Sequence, residues 1–243
     1  MTRRPVACAV LLLLSVGVGC KHPSAPSSAL KATAAGAAII VSSGDKQIGP
    51  TGTLLTDPLV VQVNDEKGAA VTGALVEFHG PAEVRFEPSA VLTDSSGQAT
   101  TAVRLGTIGG RYELSATTPG KAHAETLQVA ETALGYQQQL GSILADKYCS
   151  RCHDPESSAA QVSNYDNLAV KPHTFTDGNT LNKMSDADLL SIIQHGGPAL
   201  NRSALMPPYG NTLNPAGVQA IIAYIRVVSD PPYRPAGTVY GQK

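Results

Sequence analysis

The chain of 243 residues carries 18 lysines and arginines against 19 aspartates and glutamates, a net charge of −1, with 42% hydrophobic and 5% aromatic residues. That length suits one or two domains. A balance this even leaves no basic face for a nucleic acid to grip, and no apolar run in the chain is long enough for a comfortable bilayer span.

The chain opens MTRRPVACAVLLLLSVGVGC, with Arg3 and Arg4 ahead of an apolar run from Val6 to Val18 that ends in small residues before Cys20. This is the pattern of a secretory signal peptide over residues 1–20. The run holds roughly 13 apolar residues where a span needs about 20, and a short uncleaved anchor is the other reading. Val18-Gly19-Cys20 resembles the end of a bacterial lipoprotein signal, although Gly17 stands where such signals usually carry leucine. The resemblance implies a lipid on Cys20, or else simple cleavage, and a place in the periplasm or cell envelope at the outer membrane. Residues 21–36, rich in Ser, Ala and Pro, have nothing to bury and read as a flexible tether.

From 37 to 131 the sequence is rich in Val, Thr and Gly and alternates apolar with polar residues. Strands are expected at Pro58–Asn64, Ala74–Phe78, Ala99–Leu105, Arg111–Ala116 and Glu125–Val129, with turns at Asp65–Gly68 and Asp94–Gly97. Short alternating strands at this spacing predict a β-sandwich. PLVVQVNDEKGAAVTGALVEF, LTDSSGQATTAVRLG and GGRYELSAT resemble the bacterial Ig-like domains of group 1, found in intimin and invasin-type surface proteins. The expected role is a spacer rather than an adhesin.

From 132 to 230 the patterns become helical. One helix is expected from Leu134 to about Lys147. A second should start at a Ser185 cap with Asp186 and Asp188 in its first turn and end at Gly196-Gly197. A third should start at Asn214-Pro215 with an apolar face of Val218, Ile221, Ile222 and Ile225. The first helix runs into KYCSRCHD, residues 147–154, where Cys149, Cys152 and His153 fall within five positions. A redox dithiol, part of a zinc site and a haem attachment point all use such residues. With Cys8 in the signal and Cys20 at its end, no second pair remains to complete a zinc site, and a thioredoxin-like dithiol should follow a strand rather than a helix.

Cys149-Ser-Arg-Cys152-His153 is a C-x-x-C-H run, and with the helices around it this half resembles the class I c-type cytochromes. The resemblance implies one covalent haem c, thioethers from Cys149 and Cys152, and iron held by His153. Ala204-Leu-Met-Pro-Pro-Tyr-Gly210 resembles the distal loop of that family, which implies Met206 as the second iron ligand. Met184, His173 and His195 are the competitors. Gly141 and Tyr224 match the family's helix crossing as packing residues, and Arg202, Tyr209 and Asn211 flank the distal loop where haem propionates would lie.

The expected whole is therefore an all-β Ig-like sandwich followed by an all-α cytochrome c domain and a Pro-rich tail at 231–243. The expected function is electron transfer with redox protein partners in the envelope, not enzymatic catalysis. A membrane would be met only through Cys20, and no nucleic acid is expected. A peroxidase-like haem enzyme and a redox-sensing surface module are the alternatives.

Overall fold

In a computed structural model, which describes residues 30–120, 124–157 and 161–235, the chain forms a nine-stranded sandwich followed by a helical domain. Cys8, Cys20, the rest of the expected signal peptide and most of the expected tether lie outside the described residues. No helix among the described residues is long and apolar enough to cross a membrane.

The strands are β1 (Ala38–Ser43), β2 (Ile48–Pro50), β3 (Leu59–Asn64), β4 (Leu75–His79), β5 (Arg85–Glu87), β6 (Ala90–Leu92), β7 (Gln98–Arg104), β8 (Gly110–Thr118) and β9 (Glu125–Leu134). They pair as one sheet in the order β1-β3-β7-β5 and a second in the order β2-β9-β8-β4-β6. Alternation decides what is inside. Leu59, Val61 and Val63 of β3, Ala99, Thr101 and Val103 of β7, and Leu114 and Ala116 of β8 point into one core. Burying each large aliphatic side chain contributes about 1.5–3 kcal/mol. The inward Thr101 hydroxyl is satisfied by donating to the Pro88 carbonyl at 2.7 Å. Both expected turns are built on a carboxylate: Asp65 accepts from the amides of Lys67 and Ala69, and Asp94 from those of Ser96 and Gln98.

One inward residue breaks the pattern. Glu131 of β9 stands opposite Tyr112 on β8 and is fully buried. Its Oε2 accepts from the Gln47 amide at 2.7 Å, while Oε1 has no partner among the described residues. Burial pushes this carboxyl up to about 8; Asp45 adds to the rise, and the Gln47 amide and Arg111 oppose it.

The structure corrects the expected boundaries. Strand β9 continues past 131 to Leu134, because Ala130–Leu134 is covered on both faces, by the sandwich core and by the helical domain. The first helix accordingly starts at Tyr136, not Leu134. The end of the tether also joins the sandwich: the Thr33 amide donates to the Gly73 carbonyl at 2.9 Å, and Ala34 bridges Ala74.

The helices are α1 (Tyr136–Tyr148), α2 (Ser150–His153), α3 (Gly178–Leu181), α4 (Asp186–His195) and α5 (Pro215–Val228). Only Gly135 separates β9 from α1, and Gln138 reaches back to accept from its amide at 2.7 Å. The expected caps are present: Ser185 accepts from the Asp188 amide, and Asn214 from the Gly217 amide. Gly196, at φ +83°, ends α4. Leu181, Leu189, Ile193, Leu213, Val218, Ile221, Ile222 and Ile225 make a second core.

Helices α1 and α5 cross at Gly141. A Cβ there would strike the Ala220 carbonyl oxygen and lie 2.9 Å from Tyr224 Cβ. Helix propensity alone favours alanine over glycine by about 1 kcal/mol, whereas overpacking costs about 1–3 kcal/mol. Gly141→Ala is therefore expected to lower the thermal midpoint, measured by circular dichroism at 222 nm; a raised midpoint would show that the crossing is loose.

The two domains meet along β8 and β9. Asp230, just past α5, pairs with Lys46 at 2.9 Å and faces Arg111 at 3.7 Å, both in the sandwich. A cleft of about 340 Å³ lies between the domains, lined by Lys46, Arg111, Thr176 and Asp230 among others. The start of the tail packs on the helical domain: Asn182 donates to the Pro231 carbonyl at 2.8 Å, and the Arg226 guanidinium lies 3.9 Å from the Tyr233 ring centre.

Candidate functional site

Helix α1 ends where the cysteines begin. Cys149 closes it, with its amide donating to the Ala145 carbonyl at 2.8 Å. The chain then makes the single helical turn α2, in which the amides of Cys152 and His153 both donate to the Cys149 carbonyl at 3.0 Å. That turn puts two thiols and an imidazole on adjacent positions of one rigid element. The Ser150 hydroxyl bonds back to the Asp146 carbonyl at 2.6 Å, the Asn164 amide to the Arg151 carbonyl at 2.7 Å, and the Gln161 amide reaches Ser150 Oγ.

Both thiols are free. Burial pushes the Cys149 thiol up to about 12, with Cys152 adding to the rise. A thiol held protonated is a poor attacking group for disulfide exchange. The zinc reading fails on ligands, because no group of three or more His, Cys, Asp and Glu side chains gathers among the described residues.

His153 is half-buried, and burial lowers its basicity against the opposing effect of its hydrogen bond. Its Nδ1 lies 2.7 Å from the His173 carbonyl oxygen. A carbonyl can only accept, so Nδ1 carries the proton and Nε2 keeps its lone pair. The ring is held flat against Phe175, with centroids 5.0 Å apart and planes 14° apart. An imidazole so fixed has one nitrogen oriented by the protein and the other ready to ligate.

Met206 lies in the loop between α4 and α5. Its carbonyl accepts from the Gly197 amide at 3.0 Å. The Tyr209 amide donates to the Ile193 carbonyl at 2.9 Å and that of Gly210 to the Gln194 carbonyl at 3.0 Å. The loop is thus pinned to the end of α4, with the Met206 side chain half-buried against the helical core. Tyr209 joins it to the cysteine turn: its hydroxyl donates to the Tyr148 carbonyl at 2.8 Å, and the two rings lie 6.2 Å apart.

Several expectations are altered here. The Tyr209 hydroxyl is committed to main chain rather than free for a propionate. Arg202 and Asn211 are exposed. Met184 packs on the helical core, and its carbonyl accepts from Arg226 at 2.6 Å, which sets it on the α5 side. His195 is exposed in a cleft with Gln194, Pro208, Gly210 and Asn211. His173 takes a different part from that of competing ligand: its carbonyl receives His153, and its ring donates to Asp177 at 2.8 Å. Sequence reasoning missed His173 as an acceptor, and Phe175 altogether. A main-chain carbonyl carries no residue-type signal, and a lone Phe reads as core.

Residues 137–225 match the family described as cytochrome c oxidase, cbb3-type, subunit III. No curated protein matches the chain. Solved structures similar to it include the D00-D0 domain of intimin, at 20% identity and a TM-score of 0.32, covering 41% of this chain and 50% of that one. The adhesin InvE of Yersinia pseudotuberculosis follows at 17% and 0.33, covering 40% and 32%. Invasin, a bacterial integrin-binding protein, stands at 19% and 0.29, covering 39% and 19%. This chain spans half or less of the length of each of these structures.

Proposed function

We propose, from the match of residues 137–225 to a c-type cytochrome domain, that the protein carries electrons through one haem c, joined to Cys149 and Cys152 and ligated by His153 and Met206. The observation that carries this reading is the His153 ring, neutral, donating through Nδ1 to His173 and keeping Nε2 free, on the same turn as two unpaired thiols.

The residues fit such a group. Cys149 and Cys152 sit on one turn, so both can form thioethers along a single haem edge. His153 follows directly, and its bond to the His173 carbonyl fixes the ring and raises the basicity of Nε2. Phe175, Tyr148, Tyr209 and Met206 pack on the core as half-buried apolar groups, a surface suited to a flat macrocycle and to excluding water from it. When bound, the haem supplies a one-electron change between ferrous and ferric iron. Met206 is preferred over Met184 because the Tyr209–Tyr148 bond ties its loop to the cysteine turn. Thioether sulfur is a weak donor that favours the reduced metal, and so sets a high potential.

In this reading the protein is a carrier rather than an enzyme, since His153 and Met206 would both hold the iron and leave it no place for a substrate. The sandwich is a spacer at the cell envelope, anchored through a lipid on Cys20, and the partners are redox proteins of that compartment. Met206→Ala tests the ligation. The midpoint potential is expected to fall by on the order of a tenth of the roughly 0.8 V range that axial ligands span, with a changed reduced spectrum and rapid binding of carbon monoxide. An unchanged spectrum and potential would remove Met206 from the site.

A further inference from the structure

The turn that receives the His153 proton is held from outside the helical domain as well as from within it. Inside, the His173 ring donates to Asp177 Oδ2 at 2.8 Å, and Asp177 Oδ1 accepts from the Thr180 amide at 3.2 Å. Alongside runs Asp230. Its amide donates to the Thr176 carbonyl at 2.9 Å, and its carbonyl accepts at 3.2 Å from the Gly178 amide, which is shared with the Thr176 carbonyl at 2.8 Å. The Asp230 carboxylate then leaves the domain: Lys46 Nζ lies at 2.9 Å and Arg111 Nη1 at 3.7 Å. Arg111 is steadied in turn by Glu113 at 2.8 Å. A continuous path of bonds therefore links two sandwich cations to the carbonyl that orients His153.

We propose that Asp230 is a positioning residue, through which the sandwich holds the 173–178 turn in register with the His153 imidazole. The proposal rests on the haem reading above. The Lys46–Asp230 pair is exposed, with side-chain exposures of 65% and 41%, so it adds little to global stability. Its effect is local. Releasing Asp230 from the sandwich frees the strand-like pairing of Thr176–Gly178, lets the His173 carbonyl drift from Nδ1, and makes His153 a poorer donor to iron. A poorer donor favours the ferrous state and raises the potential.

The test is a pair of variants of the full chain with opposite changes of charge. Lys46→Met/Arg111→Met removes two positive charges, and direct electrostatics alone would lower the midpoint potential. Asp230→Asn removes one negative charge and would raise it. Loss of the tie raises it in both, so the double variant decides. The expected result is a positive shift of potential in both variants, with the Asp230 amide exchanging about fivefold faster, as for loss of an exposed ion pair. A fall or no change in the double variant's potential overturns the proposal, as does unchanged exchange. The amide measurement needs no haem. If the purified chain carries none, the haem reading has failed and exchange alone decides whether the sandwich holds the turn.

Discussion

Changing Cys149 and Cys152 together to alanine is expected to abolish covalent attachment of haem. The cysteines lie at the end of α1 and within the turn α2, and their main-chain bonds, from Cys149 to Ala145 and from Cys152 and His153 to Cys149, do not use the thiols. Alanine is the best helix former, so the turn persists and only the bonding chemistry is lost. Each single variant keeps one thioether and should retain pigment on the polypeptide. Extraction of the reduced protein with acid acetone reads the outcome directly: pigment stays with the wild type and leaves the double variant. If it stays with the double variant, attachment is not through these thiols. His153 is intact in that variant, so any residual, extractable pigment reports its ligation separately.

The second large effect concerns stability. Glu131 is fully buried, and its carboxyl is raised from an ordinary 4.5 to about 8. The folded chain keeps the proton where the unfolded chain releases it. Stability therefore falls as pH climbs from about 4.5 to about 8, and levels off outside that window. At pH 7 the cost of holding Glu131 protonated is about 3 kcal/mol. Glu131→Gln keeps an acceptor for the Gln47 amide and cannot ionise. It is expected to raise the thermal midpoint at pH 7–8 by roughly 5–10 °C, with no difference near pH 4. Thermal unfolding followed by circular dichroism across that range checks it; parallel curves for variant and wild type would mean that Glu131 finds solvent or a cation in the folded state.

The parts of the fold legible in the sequence are those with a period long enough to count. Strands β3, β4, β7 and β8 alternate over five to nine residues and were readable within a residue or two at most ends. Strands β2, β5 and β6 have three residues each, too few to show a period, and exist because neighbours complete them. The run Ala130–Leu134 carries no alternation because both of its faces are covered, so the sandwich looked three residues shorter than it is. Caps at Ser185 and Asn214 were legible because they depend on residue type. The same distinction holds at the site. Cys149, Cys152 and His153 were legible because C-x-x-C-H is a pattern of residue types. The His173 carbonyl, the Tyr148 carbonyl and the Asp230 main chain do their work through groups every residue possesses, and only coordinates show them.

The single-residue junction at Gly135 bears on how the haem domain is studied. A fragment cut at the sequence boundary and starting at residue 132 begins inside β9, with Thr132, Ala133 and Leu134 all buried in the intact chain. Such a fragment carries a ragged apolar stub at the root of the helix that ends in the cysteines, and it has lost both cations that meet Asp230. If Asp230 positions the 173–178 turn as proposed, electrochemistry on that piece is expected to give a different potential from that of the whole chain. A piece that keeps both cations facing Asp230 begins ahead of Lys46, which is nearly the entire described protein.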